Sequence, residues 1–205
     1  MKKIYLFVFL ITIVLDLHAS HLVGGDLSYT HVSGLTYKVR LKLHRDCGGT
    51  VLTSNQNISI VSQSLSTTLT ASLPQVSSGL INTYCSSIVT TCTNPSSIYP
   101  GFEYYVYEGN VTLPAAANDW NFEYSTCCRN GSINNLFNSG SQSYFLYTTL
   151  DNLSSPGGFN NSVNFVLDNY VVYNVNQNYI INQSGIDIDG DSLHFSLTSA
   201  LSTGI

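Results

Sequence analysis

The run Tyr37-Lys-Val-Arg-Leu-Lys-Leu-His-Arg45 alternates apolar and basic side chains almost without a break. A period of two fits a β-strand with one buried face and one wet face, and no helix presents that pattern. It directs Tyr37, Val39, Leu41 and Leu43 toward a core, and Lys38, Arg40, Lys42 and His44 toward water. Such a strand belongs to an antiparallel sheet. Trp120 to Cys128 alternates again, with Trp120, Phe122, Tyr124 and Thr126 on one side. Turn residues recur about every ten positions, and no stretch shows an amphipathic helical period. The expected fold is all-β, an immunoglobulin-like antiparallel β-sandwich.

Within that fold, residues 20–46 read as a hairpin opened by Gly24-Gly25, with a strand from Asp26 to His31 and a turn at Ser33-Gly34. Shorter strands are expected at Asn57 to Val61 and Thr67 to Leu73, and 75–100 reads as loop. Phe102 to Leu113 is one long strand or a hairpin around Glu108-Gly109-Asn110. Ser143 to Leu150 is the last strong strand of the unit. The turn-rich run 151–158 marks a joint between an N-terminal domain, 20–150, and a second segment, 159–205. Short strands are expected there at Asn164 to Leu167, Tyr170 to Val175, Tyr179 to Ile181 and Leu193 to Leu197. A sandwich needs about 100 residues. The segment 159–205 therefore reads as an incomplete second cadherin-like or Ig-like β domain.

The first residues carry Lys2 and Lys3, an apolar run from Ile4 to Leu15, and small residues at Ala19 and Ser20. That is the make-up of a signal peptide, assigned to residues 1–19, and the run is too short for a membrane span. No later stretch is long and apolar enough for a transmembrane helix, so a secreted or outer-surface location is expected. Of seven Lys and Arg, two lie in the signal peptide and four in one strand, and the net charge is −5. Phosphate binding needs a broad basic footprint, so no nucleic-acid partner is expected. Export makes disulfides the first reading of Cys47, Cys85, Cys92, Cys127 and Cys128. No CxxC pair suggests zinc. Cys85 and Cys92 enclose a short loop that suits a local bridge. Cys127 and Cys128 point to opposite faces of a strand, and Cys47 with one of them is the expected long-range pair. Five cysteines leave one thiol over.

Five blocks follow one another along the chain: Ser20-His-Leu-Val-Gly-Gly-Asp-Leu-Ser-Tyr29, His44-Arg-Asp-Cys47, Tyr107-Glu-Gly-Asn-Val-Thr-Leu-Pro114, Cys127-Cys-Arg-Asn130 and Asp187-Ile-Asp-Gly-Asp-Ser-Leu193. In that order they resemble the N-terminal region of large secreted surface proteins of Bacteroidetes type, the gliding-motility-associated or PKD-domain family. The resemblance implies a multidomain extracellular β protein that continues into further immunoglobulin-like or PKD repeats and a C-terminal sorting domain for type IX secretion. Relatives of this type carry a cysteine near Ala115 to Ala117, which would account for the odd thiol.

Asp187, Asp189 and Asp191 alternate around Gly190, and alternating oxygen ligands on a flexible loop suit calcium. Asp151 and Asn152 at the joint are candidate further ligands. The alternative is a turn in which the aspartates accept their own backbone N–H groups. Gly190-Asp191-Ser192-Leu193 spells a serine-hydrolase signature, and His44-Arg45-Asp46 the kinase catalytic triplet. Neither has the surrounding fold its chemistry requires. His21 and His31 read as solvated rather than ligating. Trp120, Phe122 and Tyr124 are core residues or, if exposed, a sugar-stacking platform. The reading these features support is a non-enzymatic, exported cell-surface or extracellular module of an adhesin-like protein, calcium-stiffened at its domain junction. Its partner would be an extracellular polysaccharide or a protein surface. The alternative is a carbohydrate-binding module of a secreted multidomain protein.

Overall fold

The computed structural model describes residues 21–82, 84–166, 173, 175–181 and 184–201. The expected signal peptide lies outside them, as does most of the strand expected at 170–175. The described chain is nearly all β and antiparallel. Seven strands follow in order: β1 (Leu22–Ser33), β2 (Thr36–Asp46), β3 (Asn55–Ser62), β4 (Thr67–Ile81), β5 (Phe102–Thr112), β6 (Trp120–Thr126) and β7 (Tyr144–Leu150). Two short strands, β8 (Asn164–Phe165) and β9 (Gly185–Ile186), pair with each other.

The seven strands are hydrogen-bonded in the order β1-β2-β5-β4-β3-β6-β7. β4 makes this one continuous sheet folded over on itself. Its first half, Thr67 to Pro74, pairs with β3, and its second half, from Gln75 to Ile81, pairs with β5. The handover falls at Pro74, with a bulge between Gln75 and Ser77. Proline has no N–H to give a ladder, so it suits the point where one partner is left and the next begun. The expectation that 75–100 is loop fails here: the proline and the Ser/Gly-rich letters after it read as a strand end, but β4 continues to Ile81.

Side-chain alternation then builds the core. β2 contributes Tyr37, Val39, Leu41 and Leu43, as its period predicts. β3 adds Ile58 and Ile60, and β5 adds Tyr105, Tyr107 and Val111. Trp120, Phe122 and Tyr124 lie at the centre, with Trp120 and Phe122 at 0 % exposure. The aromatic-platform reading of these three is therefore overturned: the rings are the packing of the sandwich. Tyr29 joins them, stacked on Phe122 with ring centres 5.3 Å apart and edge-on to Tyr37 at 5.7 Å.

His44 departs from expectation. It lies on the outward side of β2 yet is wholly buried, because Leu43, His44 and Arg45 are all covered at the end of the strand. The basic face of β2 meets partners on β5 along its length. Lys38 Nζ lies 2.5 Å from Glu108 Oε2, Arg40 reaches the same carboxylate at 3.8 Å, and Lys42 sits over the Tyr104 ring.

The edges of this folded sheet, β1 and β7, come close together. The Tyr29 hydroxyl crosses the gap and donates to the Thr149 carbonyl at 2.7 Å. Burial pushes that phenol up to about 12, against the pull of the Asn160 side chain. β1 itself is covered at both ends. Leu22 forms a parallel bridge with Arg129, and the segment around Asn161 and Ser162 bonds to Tyr29 and His31. An open edge is a template for unwanted pairing, and both covers remove it. Beyond Val163 the described residues are sparsely packed: Ile180 and Leu197 lie fully in solvent, and the strands expected at 179–181 and 193–197 are absent among them.

Gly25 shows how tightly β1 lies on β2. A methyl at its Cα would sit 2.5 Å from the Lys42 carbonyl oxygen, a backbone atom that cannot swing away. Gly25→Ala is expected to lower the unfolding free energy by about 2 kcal/mol, read from urea denaturation. A loss under half that size would mean the β1–β2 ladder shifts to accept the methyl.

Candidate functional site

The chemistry-bearing residues gather at two places, both on β1. The first is the end of the sandwich where β2 runs out. In-register pairing sets Arg45 opposite Glu103 on the inward face. The Arg45 guanidinium donates to Glu103 Oε1 through Nε at 2.7 Å and through Nη2, and to the Gly49 carbonyl through Nη1 at 2.5 Å. The Tyr105 hydroxyl donates to the same Glu103 oxygen at 2.8 Å. Burial and that carboxylate together push the phenol up to about 12. Asp46 comes next. Its Oδ1 accepts the Gly48 N–H at 2.8 Å and its Oδ2 accepts Asn130 Nδ2 at 3.1 Å. Arg129 donates to the Ser143 carbonyl at 3.1 Å and to the Leu201 carbonyl at 2.7 Å, with its guanidinium over the Tyr144 ring. His-Arg-Asp-Cys and Cys-Cys-Arg-Asn thus meet in one joint, in which Arg45, Asp46, Arg129 and Asn130 tie strand ends to other segments.

The cysteines complete this joint, with pairings that correct the expected ones. Cys47 bonds to Cys92, not to Cys127 or Cys128, and Cys85 is the free, exposed thiol, so no local Cys85–Cys92 bridge forms. The reason is the path of the loop before β5. The Cys47 N–H donates to the Gly101 carbonyl at 3.0 Å, and the Gly101 N–H donates to Thr91 Oγ1 at 2.8 Å, which brings Cys92 to Cys47. Cys127 and Cys128 bond to each other. The argument that they face opposite ways needed them to be in a strand, but β6 ends at Thr126 and the peptide between the two cysteines is cis.

The second place is the far end of β1, and here the aspartate loop arrives. Asp187 Oδ1 accepts the Asp189 N–H at 2.8 Å and the Asp191 N–H at 3.4 Å, around Gly190 with a φ of 85°. Asp189 turns the other way. Its Oδ2 accepts the Asn161 N–H at 2.7 Å, and its Oδ1 accepts Asn161 Nδ2 at 2.8 Å. Asn161, buried, passes the connection on: its Oδ1 accepts the His31 N–H of β1 at 2.6 Å. Ser162 adds its hydroxyl as acceptor for the Tyr29 N–H at 2.7 Å, and its own N–H donates to the Tyr29 carbonyl at 3.1 Å. The Phe159 ring stacks on His31, centres 4.6 Å apart and nearly parallel.

Asp187 Oδ1 and both Asp189 oxygens therefore hold N–H groups. Asp191 is exposed, and no cluster of three His, Cys, Asp or Glu with metal-holding geometry occurs among the described residues. Asp151 and Asn152 are spoken for elsewhere. Asp151 Oδ1 caps the N–H groups of Leu153 and Ser154, and buried Asn152 accepts the Ala117 N–H at 2.9 Å. Ser192 and His194 are both exposed and outside any strand. His21 and His31 flank opposite ends of β1, the latter with Nε2 3.0 Å from the Gly34 carbonyl oxygen. Asn161 and Ser162, the centre of this contact, carry no signal in a chain so rich in Asn and Ser.

Comparison with protein-family models, with curated proteins and with solved structures gives no match.

Two measurements probe these joints. Arg45→Ala is expected to cost about 1–3 kcal/mol, because it leaves a half-buried carboxylate without its charged partner. The double substitution Arg45→Met with Glu103→Met should recover most of that loss, and a double variant as unstable as the single one refutes the ion-pair account. At the other end, Asn161→Ala is expected to cost about 1–3 kcal/mol by orphaning the His31 N–H on β1 and taking the amide donor from Asp189 Oδ1 on the loop. That loss should be the same in EDTA and in calcium. If instead EDTA alone destabilises the unaltered chain and calcium restores it, a cation holds the loop.

Proposed function

We propose that this chain is an exported, non-enzymatic β-sandwich module of an extracellular or outer-surface protein of adhesin-like kind. The observation that carries the reading is the Cys47–Cys92 disulfide, which closes the end of β2 onto the loop before β5. Structural disulfides persist where the surroundings are oxidising. The surface agrees with that setting, being built from Ser, Thr and Asn with 9 % charged residues. The kinship proposed with secreted gliding-motility-associated proteins rests on five blocks. One is most of β1 itself, from Leu22 to Tyr29; three fall at a strand end, at a cover of β1 or in the aspartate loop; and the fifth, around Glu108, pairs with the basic face of β2. Such positions suit a scaffold. No described helix is long and apolar enough to cross a membrane. The proposal does not extend to calcium at Asp187, Asp189 and Asp191, because Asp187 Oδ1 and both Asp189 oxygens already accept N–H groups.

Intact producing cells treated with proteinase K test the location. Surface exposure predicts loss of the chain before lysis, and a chain that survives until lysis sinks the proposal. Alkylation of the unreduced protein with N-ethylmaleimide tests the compartment. Cys85 should be labelled alone, whereas a reduced cytoplasmic chain would label all five cysteines.

A further inference from the structure

The outer face of the β4–β3–β6–β7 half carries a pattern that neither the core nor the two joints use. Strand pairing lines up Thr68, Val61, Asn121 and Thr149 in one row across four strands, and Thr70, Ser59, Glu123 and Tyr147 in the next. The ladder between β3 and β6 stops at the pair Ser59–Glu123. Past it the strands part, and a shallow recess of about 230 Å³ opens, lined by Asn57, Ile58, Ser59, Thr70, Glu123 and Ser125. The Ile58 side chain is turned into the core, so what the recess offers is a rim of the Ser59, Thr70 and Ser125 hydroxyls, the Asn57 amide and the Glu123 carboxylate. Glu123 Oε1 accepts Asn121 Nδ2 at 2.5 Å, which anchors the carboxylate at the recess it lines. At the end of the same row the Tyr147 ring is 45 % exposed and braced by Phe145, with centres 6.0 Å apart.

We infer that this face binds a neutral glycan, with one sugar ring seated in the recess between β3 and β6 and the polymer following the row from Thr70 to Tyr147. A sugar ring offers an apolar C–H face and a belt of hydroxyls; the recess presents polar groups to the belt, and the Tyr147 ring beside it presents a face to the C–H side. A fixed carboxylate accepts paired hydroxyls, and an exposed phenol ring stacks on the C–H face while keeping its own hydroxyl wet. Neighbouring strands lie about 4.8 Å apart, close to the length of one sugar unit, so successive units meet successive strands. Charge excludes the other classes. Strands β3, β6 and β7 and the β3-paired half of β4 hold one formal charge, Glu123. An anionic polymer finds no cation on this face, a basic one finds a single carboxylate, and an apolar peptide finds little beyond Val61.

The inference rests on the surface-module reading for its setting and on the recess for its chemistry. Affinity electrophoresis of the full-length chain through gels holding dextran, mannan, xylan or laminarin tests it. At least one of these should retard the protein. Glu123→Ala and Tyr147→Ala should each weaken the retarding interaction about tenfold, some 1.4 kcal/mol, with thermal unfolding unchanged. Ser125→Trp should abolish it by filling the recess, and Lys38→Ala, on the other half of the sheet, should leave it intact. Retardation by none of the polymers, or retardation that all three recess variants retain, overturns the inference. A chain that is removed from intact cells by proteinase but ignores every polymer loses the glycan site and keeps the surface role. A chain that binds a polymer but is shielded within the cell does the reverse.

Discussion

One strand belongs to both halves of this sandwich, and the rest of the structure follows from how it divides itself. β4 gives its first eight residues to β3 and the remainder to β5, changing partners at Pro74. A single chain segment cannot tilt independently in two layers. The angle between the halves is therefore set by backbone hydrogen bonds as well as by the packing of Trp120, Phe122 and Tyr107 between them. That constraint brings the outermost strands, β1 and β7, near each other, which is why one tyrosine hydroxyl can span them. It also leaves β1 as the strand whose edge must be covered by other means.

Those other means are where the short sequence blocks have gone. Letters that resemble catalytic signatures are found at strand ends because a strand end is where backbone polar groups lose their partners. Asp46 and Asp187 cap turns, Arg45 neutralises a carboxylate that faces inward, and Asn130 and Asn161 each bridge two segments. Charged and amide side chains do this work well, since they reach several donors or acceptors at once. The same capacity makes them useful in active sites. A motif read without its fold cannot tell the two uses apart.

The fold class and the inner face of β2 were legible, because alternation over nine residues reports burial directly. The core role of Trp120, Phe122 and Tyr124 was legible for the same reason, once weighed against a platform. His44 was not: its exposure depends on what covers the end of β2, and a strand period says nothing about neighbouring loops. The continuation of β4 through Pro74 was hidden because proline normally ends a ladder, and here one ladder does end there while another begins. Cysteine pairing escaped because it depends on the return path of residues 82–101. The aspartate loop was legible as a turn that uses carboxylates. Its target, Asn161, was not, since one asparagine among many carries no distinguishing letter.

The two covers on β1 also decide how that strand can open. Arg129 engages β1 at Leu22, and Ser162 and Asn161 engage it near His31. Local opening normally starts where a strand is held by the fewest contacts. Here each end of β1 is held by a segment from far along the chain, so the edge strand opens only when one of those segments lets go. An edge that would otherwise breathe first is thereby tied to the stability of the whole sandwich.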